Sequence, residues 1–360
     1  MDERQPVFTS IIALAIGLLI AVILIVISNE EPGAVLRAFF LRPFSNRYFL
    51  GNMVSSAGYL LIAALGVIVA FRAGLFNLGG DGQIYVGALA GTLVALRFPA
   101  LPGFVEVIVV LAAAAASAGL VAALAGVLKR LFDAPELITS YLLSAALVSV
   151  TTWYITGPGR NPAGNLLATP AVSEAYHLHR ILPPSELNTS VIWALVLAAG
   201  IAFFLSSTVK GYELRQFGSN PRFAGYAGMP TAGITVGAMA ASGALHGLTG
   251  GLMVLGTYHA AISGFSFGVG WNAIAVALVA RLHPLAAILS ALVFSFLQAG
   301  AQTAMLQSAF TFELSSIIQA AILLLVTARL ALPRVLRRRA VTRTRRSPTA
   351  DNPRTAEPEP

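Results

Sequence analysis

The chain is 360 residues long, 57% hydrophobic and only 11% charged, with a mean hydropathy of +0.79 and a formal net charge of +8. Soluble domains carry about 25% charged residues, so this chain has too few to clothe a water-facing surface. It has no cysteine, which excludes disulfides, thiolate metal sites and haem attachment through Cys. Seven arginines fall within 334–346, just after the last apolar run. Charge placed there marks the cytoplasmic flank of a membrane helix rather than a nucleic-acid-binding face.

A helix needs about 20 apolar residues to cross the hydrocarbon core. In chain order the candidates are 7–28, 50–70, 79–97, 104–129, 137–157, 189–207, 231–257, 264–281, 284–304 and 311–331. The first run is too long for a signal-peptide core and lacks a small-residue cleavage site, so it reads as a retained helix. The expected fold is all-α and polytopic, with about ten spans and broken or re-entrant segments at 70–83 and 258–283. Placing both termini in the cytoplasm puts Arg72, Lys129, Arg130, Lys210, Arg215, Arg222, Arg281 and the arginine tail inside, as positive charge prefers. The segment 29–49, with Arg37, Arg42 and Arg47, dissents from that order.

The expected organisation is a permease domain over 1–336, with a long outer loop at 158–188 and an inner loop at 208–230. A basic, then Pro- and acid-rich tail follows over 337–360 and is expected to be disordered. An inner loop of that length exceeds a simple helix–helix turn, which argues for a function.

Catalytic chemistry has no foothold in the sequence. There is no Gly-x-x-x-x-Gly-Lys-Ser/Thr stretch, so the chain is not expected to hydrolyse nucleotide. The five histidines are scattered and supply no metal pair on a helix face. Glu106, Glu136, Glu186, Glu213 and Glu313 fall at span ends or in loops, and only Asp81 sits deep. One acid does not build an ion relay, so an energy source outside the chain is expected. No metal or cofactor is expected in this chain.

Two glycine-rich interruptions carry the interest. Arg72-Ala73-Gly74-Leu75-Phe76-Asn77-Leu78-Gly79-Gly80-Asp81-Gly82-Gln83 breaks an apolar pattern, either as a broken helix lining a cavity or as a cytoplasmic hairpin. Gly264-Phe265-Ser266-Phe267-Gly268-Val269-Gly270-Trp271-Asn272 is a weaker counterpart in the second half. Its Phe265, Phe267 and Trp271 are rings that either stack on a flat solute or rest at the membrane rim. Gly243, Gly247 and Gly251 have the small-xxx-small spacing of closely packed membrane helices.

The stretch from Phe71 to Gln83 resembles one typical of ABC importer permeases of the nucleoside and simple-sugar type, departing conservatively at Leu78, Gly80 and Asp81. Leu214-Arg215-Gln216-Phe217-Gly218-Ser219-Asn220-Pro221-Arg222-Phe223-Ala224-Gly225-Tyr226-Ala227-Gly228-Met229 resembles that family's ATPase-docking loop. Trp271-Asn272-Ala273-Ile274-Ala275-Val276-Ala277-Leu278 resembles its Ala-Ile-Ala-Val-Ala-Leu run. Pro135 stands where Asn is common. The resemblance implies a substrate pathway at Phe76, Asn77, Gly79, Asp81, Gln83, Phe265, Phe267, Trp271 and Asn272. It implies docking of the ATPase at Glu213, Arg215, Gly218, Asn220, Pro221, Ala224 and Gly228. The implied partners are a cytoplasmic ATPase carrying ATP and Mg, a second and different permease chain, and an extracytoplasmic binding protein, in a bacterial inner membrane. An ion-coupled carrier and a branched-chain amino acid permease are the alternatives.

Overall fold

The computed structural model describes residues 31–98 and 104–306, with positions 19, 22, 23 and 25–27 of the first apolar run. The expected span 311–331 and the tail 337–360 lie outside the described residues, as does most of 7–28. Every regular element described is helical. Among the described residues six helices are long and apolar enough to cross a membrane, Thr231–Tyr258 among them, which makes the chain a polytopic membrane protein.

Helix α1, Pro32–Phe40, lies in the segment 29–49 that the sequence assigned to an outer loop. After a 3-10 turn at Arg42–Phe44, α2 runs from Arg47 to Arg72. The Asn46 side chain accepts from Phe49 N at 3.0 Å and satisfies one of the donors a helix start leaves open. Residues 57–70 of α2 are all buried. A helix apolar all round belongs in the middle of a bundle, and α2 is that helix.

The chain continues through α3 (Gly80–Arg97), α4 (Phe104–Phe132), α5 (Glu136–Thr156) and α6 (Ser190–Ser207), of which α6 packs on α2. The inner loop expected at 208–230 is a pair of short helices, α7 (Val209–Ser219) and α8 (Pro221–Tyr226). Helix α9 (Thr231–Met253) continues into a π turn at Val254–Tyr258. It packs on α4 through the anticipated glycines. A Cβ on Gly247 would collide with the Ala114 carbonyl oxygen, and one on Gly243 would press on Ala122. Without a hydrophobic force between helices in lipid, such close backbone approach supplies the packing. Helix α11 (Pro284–Met305) closes the bundle and packs on α1, where Phe296 meets Phe39 with ring centroids 6.2 Å apart.

The candidate span 264–281 is broken, as the glycines of 258–283 implied. Helix α10 covers only Val269–Val279, 11 residues or about 16 Å, half of the roughly 30 Å hydrocarbon core. The backbone ahead of it takes positive φ at Gly264, Phe267 and Gly268, which a helix cannot contain. The span expected at 79–97 is helix α3, Gly80–Arg97, and an irregular stretch from Ala73 to Gly79 precedes it.

The segment 158–188 forms a strap over the α9 π turn. Thr169 N donates to Ala261 O at 3.0 Å, Val172 N to His259 O at 2.8 Å and Leu178 N to Leu255 O at 3.0 Å. Asn188 Nδ2 donates to Gly256 O at 2.9 Å. The wider i→i+5 spacing of a π turn disturbs the helical ladder, and here its carbonyls find partners outside the helix.

Candidate functional site

Three places hold the residues that the sequence marked, and they are mechanically joined. The first is the irregular stretch ahead of α3. Asn77 is fully buried and bonds Gln83 twice, with Nδ2 to Oε1 and Oδ1 from Nε2 both at 2.9 Å. Its Nδ2 also donates to Ser242 Oγ at 2.9 Å, and its Oδ1 accepts from Gly79 N at 2.9 Å. Helix α5 contributes Ser140 Oγ to Leu78 N at 3.0 Å and Ser144 Oγ to Gly82 N at 2.8 Å. The His246 Nδ1 meets Gln83 Oε1 at 2.8 Å. Irregular backbone in lipid must have its polar groups satisfied by protein, and these side chains do so.

This stretch lies at depth. Ser242 is about 16 Å along α9 from Thr231, near the middle of a membrane-sized helix. Of the two readings the sequence left open, the structure favours a broken helix buried in the bundle over a surface hairpin. Phe76, at its start, is half exposed and packs on Phe71 with centroids 4.9 Å apart. Its amide approaches Glu136 Oε1 at 3.4 Å.

The second place is the meeting of α3 and α10. Asp81 lies in the first turn of α3, and its Oδ1 accepts from Gly270 N, at the start of α10, at 3.0 Å. Ser266 Oγ donates to the same oxygen at 3.3 Å. A carboxylate between two helix N-termini is favoured by both dipoles and takes up their unsatisfied N–H groups. The paired interruptions anticipated in the two halves thus touch through Asp81. Phe265 is buried between Tyr85 and Tyr258, at 4.9 Å and 5.8 Å. Phe267, by contrast, is 60% exposed and turns into a cavity of about 350 Å³ that Ser266 and Val269 also line. Trp271 stands edge-on to Tyr141 at 6.1 Å, and Asn272 is half-buried on the next position of α10.

The third place is the α7–α8 pair. Asn220 Oδ1 accepts from Phe223 N at 3.0 Å and caps α8, with Pro221 at its first position. Ala224 is fully buried, and Gly228 ends the element with φ +74°. Glu213 pairs with Lys210 at 2.9 Å, and Arg215 is half-buried. Gly218 faces the end of α2 so closely that a Cβ would collide with the Arg72 carbonyl oxygen. In return, a Cβ on Gly74 would stand 3.1 Å from the Gly218 oxygen. The helix pair therefore rests, backbone to backbone, on the point where the irregular stretch begins.

Sequence reasoning missed several participants. Ser242 and His246 sit in a run of small residues that reads only as packing. Phe223 and Tyr226 project from α8, with Tyr226 92% exposed; they lie inside the docking motif but were not among the residues singled out from it. On the strap, His177 stacks on His259 with centroids 3.6 Å apart and planes 20° from parallel. Burial first, then the His177 and Arg180 charges, push the His259 imidazole down to about 4. No group of three or more His, Cys, Asp or Glu among the described residues is placed to hold a metal.

A polytopic bundle with an irregular stretch and a half-helix meeting at depth, and a helix pair at one end, is the build of a transport permease. The chain belongs to the family described as branched-chain amino acid transport system / permease component, whose model matches residues 49–327. It is 35% identical over 329 residues to the probable riboflavin import permease protein RfuC of Treponema pallidum, covering 91% of this chain and 87% of that one. It is 29% identical over 326 residues to the guanosine ABC transporter permease protein NupP of Bacillus subtilis, covering 89% and 93%. Against the glucose ABC transporter permease protein TsgB13 of Haloferax volcanii it is 27% identical over 333 residues, covering 89% and 85%. No solved structure matches the chain. The chain is a permease subunit of an ABC transporter.

Proposed function

We propose that the chain is one permease half of an ATP-driven importer of nucleosides or simple sugars. The α7–α8 pair docks a separate ATPase, which carries ATP and Mg, and a different permease chain completes the pathway. An extracytoplasmic binding protein delivers solute at the opposite end, where the strap lies. The protein resides in the inner membrane with both termini in the cytoplasm, as the positive charge at the α7–α8 end supports.

The observation that carries this reading is the seat of Gly218 on Arg72 and Gly74. A push on α7–α8 is transmitted directly to the irregular stretch, and from there through Asp81 to Ser266 and Gly270. Residues Asn77, Gly79 and Gln83 hold that linkage, while Phe76, Asp81, Phe267, Trp271 and Asn272 face the moving solute. Phe265, buried between Tyr85 and Tyr258, lines the same segment. Glu213, Arg215, Asn220, Pro221, Ala224 and Gly228 shape the docking surface.

The test is gentle solubilisation of the tagged chain from its native host and identification of its companions by mass spectrometry. The expected companions are a cytoplasmic ATPase, a second permease and an exported binding protein. Gly218→Val is expected to lose the ATPase or its coupling to uptake. Normal coupling in that variant would reject the assignment of the helix pair.

A further inference from the structure

The 350 Å³ cavity lies between α2, the π turn of α9, the loop into α10 and α11. Its size falls within the range of small-molecule sites. Many of its polar groups are already engaged. Ser55 Oγ donates to Glu186 O at 3.1 Å, Tyr59 OH meets Thr257 Oγ1 at 2.9 Å, and Asn52 Oδ1 accepts from Glu186 N at 2.8 Å. Two side-chain amides are left. Gln298 and Gln302 are four residues apart on α11, so they share a face, and neither has a hydrogen-bond partner among the described residues. The same cavity is lined by the ring of Phe267, held at φ +45°. A non-glycine residue in that conformation is strained, and such strain persists where surrounding structure enforces it.

The cavity carries almost no free charge. Among the described residues Glu186 is the one carboxylate lining it, and Arg180 Nη2 sits 2.8 Å from that carboxylate. No Lys or Arg among the described residues lines it. A carboxylate-bearing or zwitterionic solute would enter with charges unpaired in a low-dielectric site, which is costly. A neutral solute with a flat ring and a hydrogen-bonding edge would meet an aromatic face and two amides that both donate and accept.

We propose that this cavity is the solute's seat within the permease, and that it takes a neutral ring-bearing solute read by Gln298 and Gln302 against the face of Phe267. The proposal rests on the importer reading above. It also places the seat on the linkage, because the cavity floor at Ser266 is the residue that Asp81 holds.

The absence of cysteine makes the test direct. Gln298→Cys and Gln302→Cys each give the chain a single thiol, to be labelled in the assembled transporter with a membrane-impermeant maleimide. Guanosine at ten times its half-saturating concentration is expected to slow labelling about tenfold, since 1 + [L]/Kd is then about eleven. L-leucine at the same concentration is expected to leave the rate unchanged. Should Gln298→Cys fail to assemble, Gln302→Cys on the more open end of the helix carries the same measurement.

Unchanged labelling in a variant that still takes up guanosine would overturn the seat and leave the importer reading standing. A thiol that never reacts in a transporting complex would do the same, because it would show the cavity closed to water. Protection by leucine equal to that by guanosine would overturn the neutral class. Wild-type uptake of leucine and not guanosine would instead overturn the importer's proposed substrate, and the seat's ligand with it.

Discussion

Replacing Asn77 by Leu removes the acceptor of Gly79 N–H and of Gln83 Nε2, takes one of two partners from Gln83 Oε1, and leaves Ser242 without its donor. Each buried polar group left unpaired costs about 1–3 kcal/mol, and this interior offers no water as a substitute. Asn77→Leu should therefore lower the thermal unfolding midpoint of the solubilised complex clearly. Asn272→Leu, on a half-buried position with no side-chain hydrogen bond among the described residues, should shift it little. Equal midpoints for the two variants would mean that the buried amide cluster does not hold the broken helix. At Asp81 the same logic reaches function. Asp81→Ala removes the acceptor shared by Gly270 N–H and Ser266 Oγ, and uptake should fall at least about tenfold while the complex still assembles, one such charge-assisted bond being worth about 1.5–3 kcal/mol. Unimpaired uptake would show that the α3–α10 junction carries no motion.

The strap is the element whose behaviour should depend on pH. His259 is pushed from its ordinary 6.5 down to about 4, chiefly by burial and then by His177 and Arg180, the latter itself paired with Glu186. An opened strap therefore binds a proton more readily than a closed one. The closed strap keeps its full stability above about pH 6.5 and loses it as pH falls toward 4. Hydrogen exchange at the Val172 and Leu178 amides, corrected for intrinsic rate, should show less protection at about pH 5 than at about pH 7. His259→Gln should flatten that difference. A wild-type strap equally protected at both pH values would contradict it. The elements also show what the sequence could and could not disclose. Long apolar runs identify α2, α4, α9 and α11, because crossing lipid demands length and composition. The Asn-Pro pair at 220–221 marks the start of α8, because a cap and a first-turn Pro leave a local signature. The glycines of 258–283 marked a break but not where helix α10 begins, because a half-helix and a whole one are equally apolar and only the positive φ at Phe267 and its glycine neighbours separates them. Ser242 and His246 were illegible for a different reason. They meet Asn77 and Gln83 across 165 and 163 residues, a contact set by packing alone.

At the scale of the molecule, one line of contacts runs from the exposed rings of α8, through Gly218 and Gly74, along the buried amides to Asp81, and on to the floor of the cavity beneath Phe267. Such a line needs a force applied at the α7–α8 end. No ion relay replaces it among the described residues, where acids other than Asp81 lie near helix ends, on loops or, for Glu213, on α7 paired with Lys210. The most direct test is uptake into proteoliposomes holding this chain with the ATPase, second permease and binding protein proposed for it. The nucleoside or simple sugar that the complex takes up should accumulate only when ATP is present on the ATPase side, and a protonophore at constant ATP should leave the rate unchanged. Accumulation driven by an ion gradient with this chain alone, or collapse by the protonophore, would contradict the account.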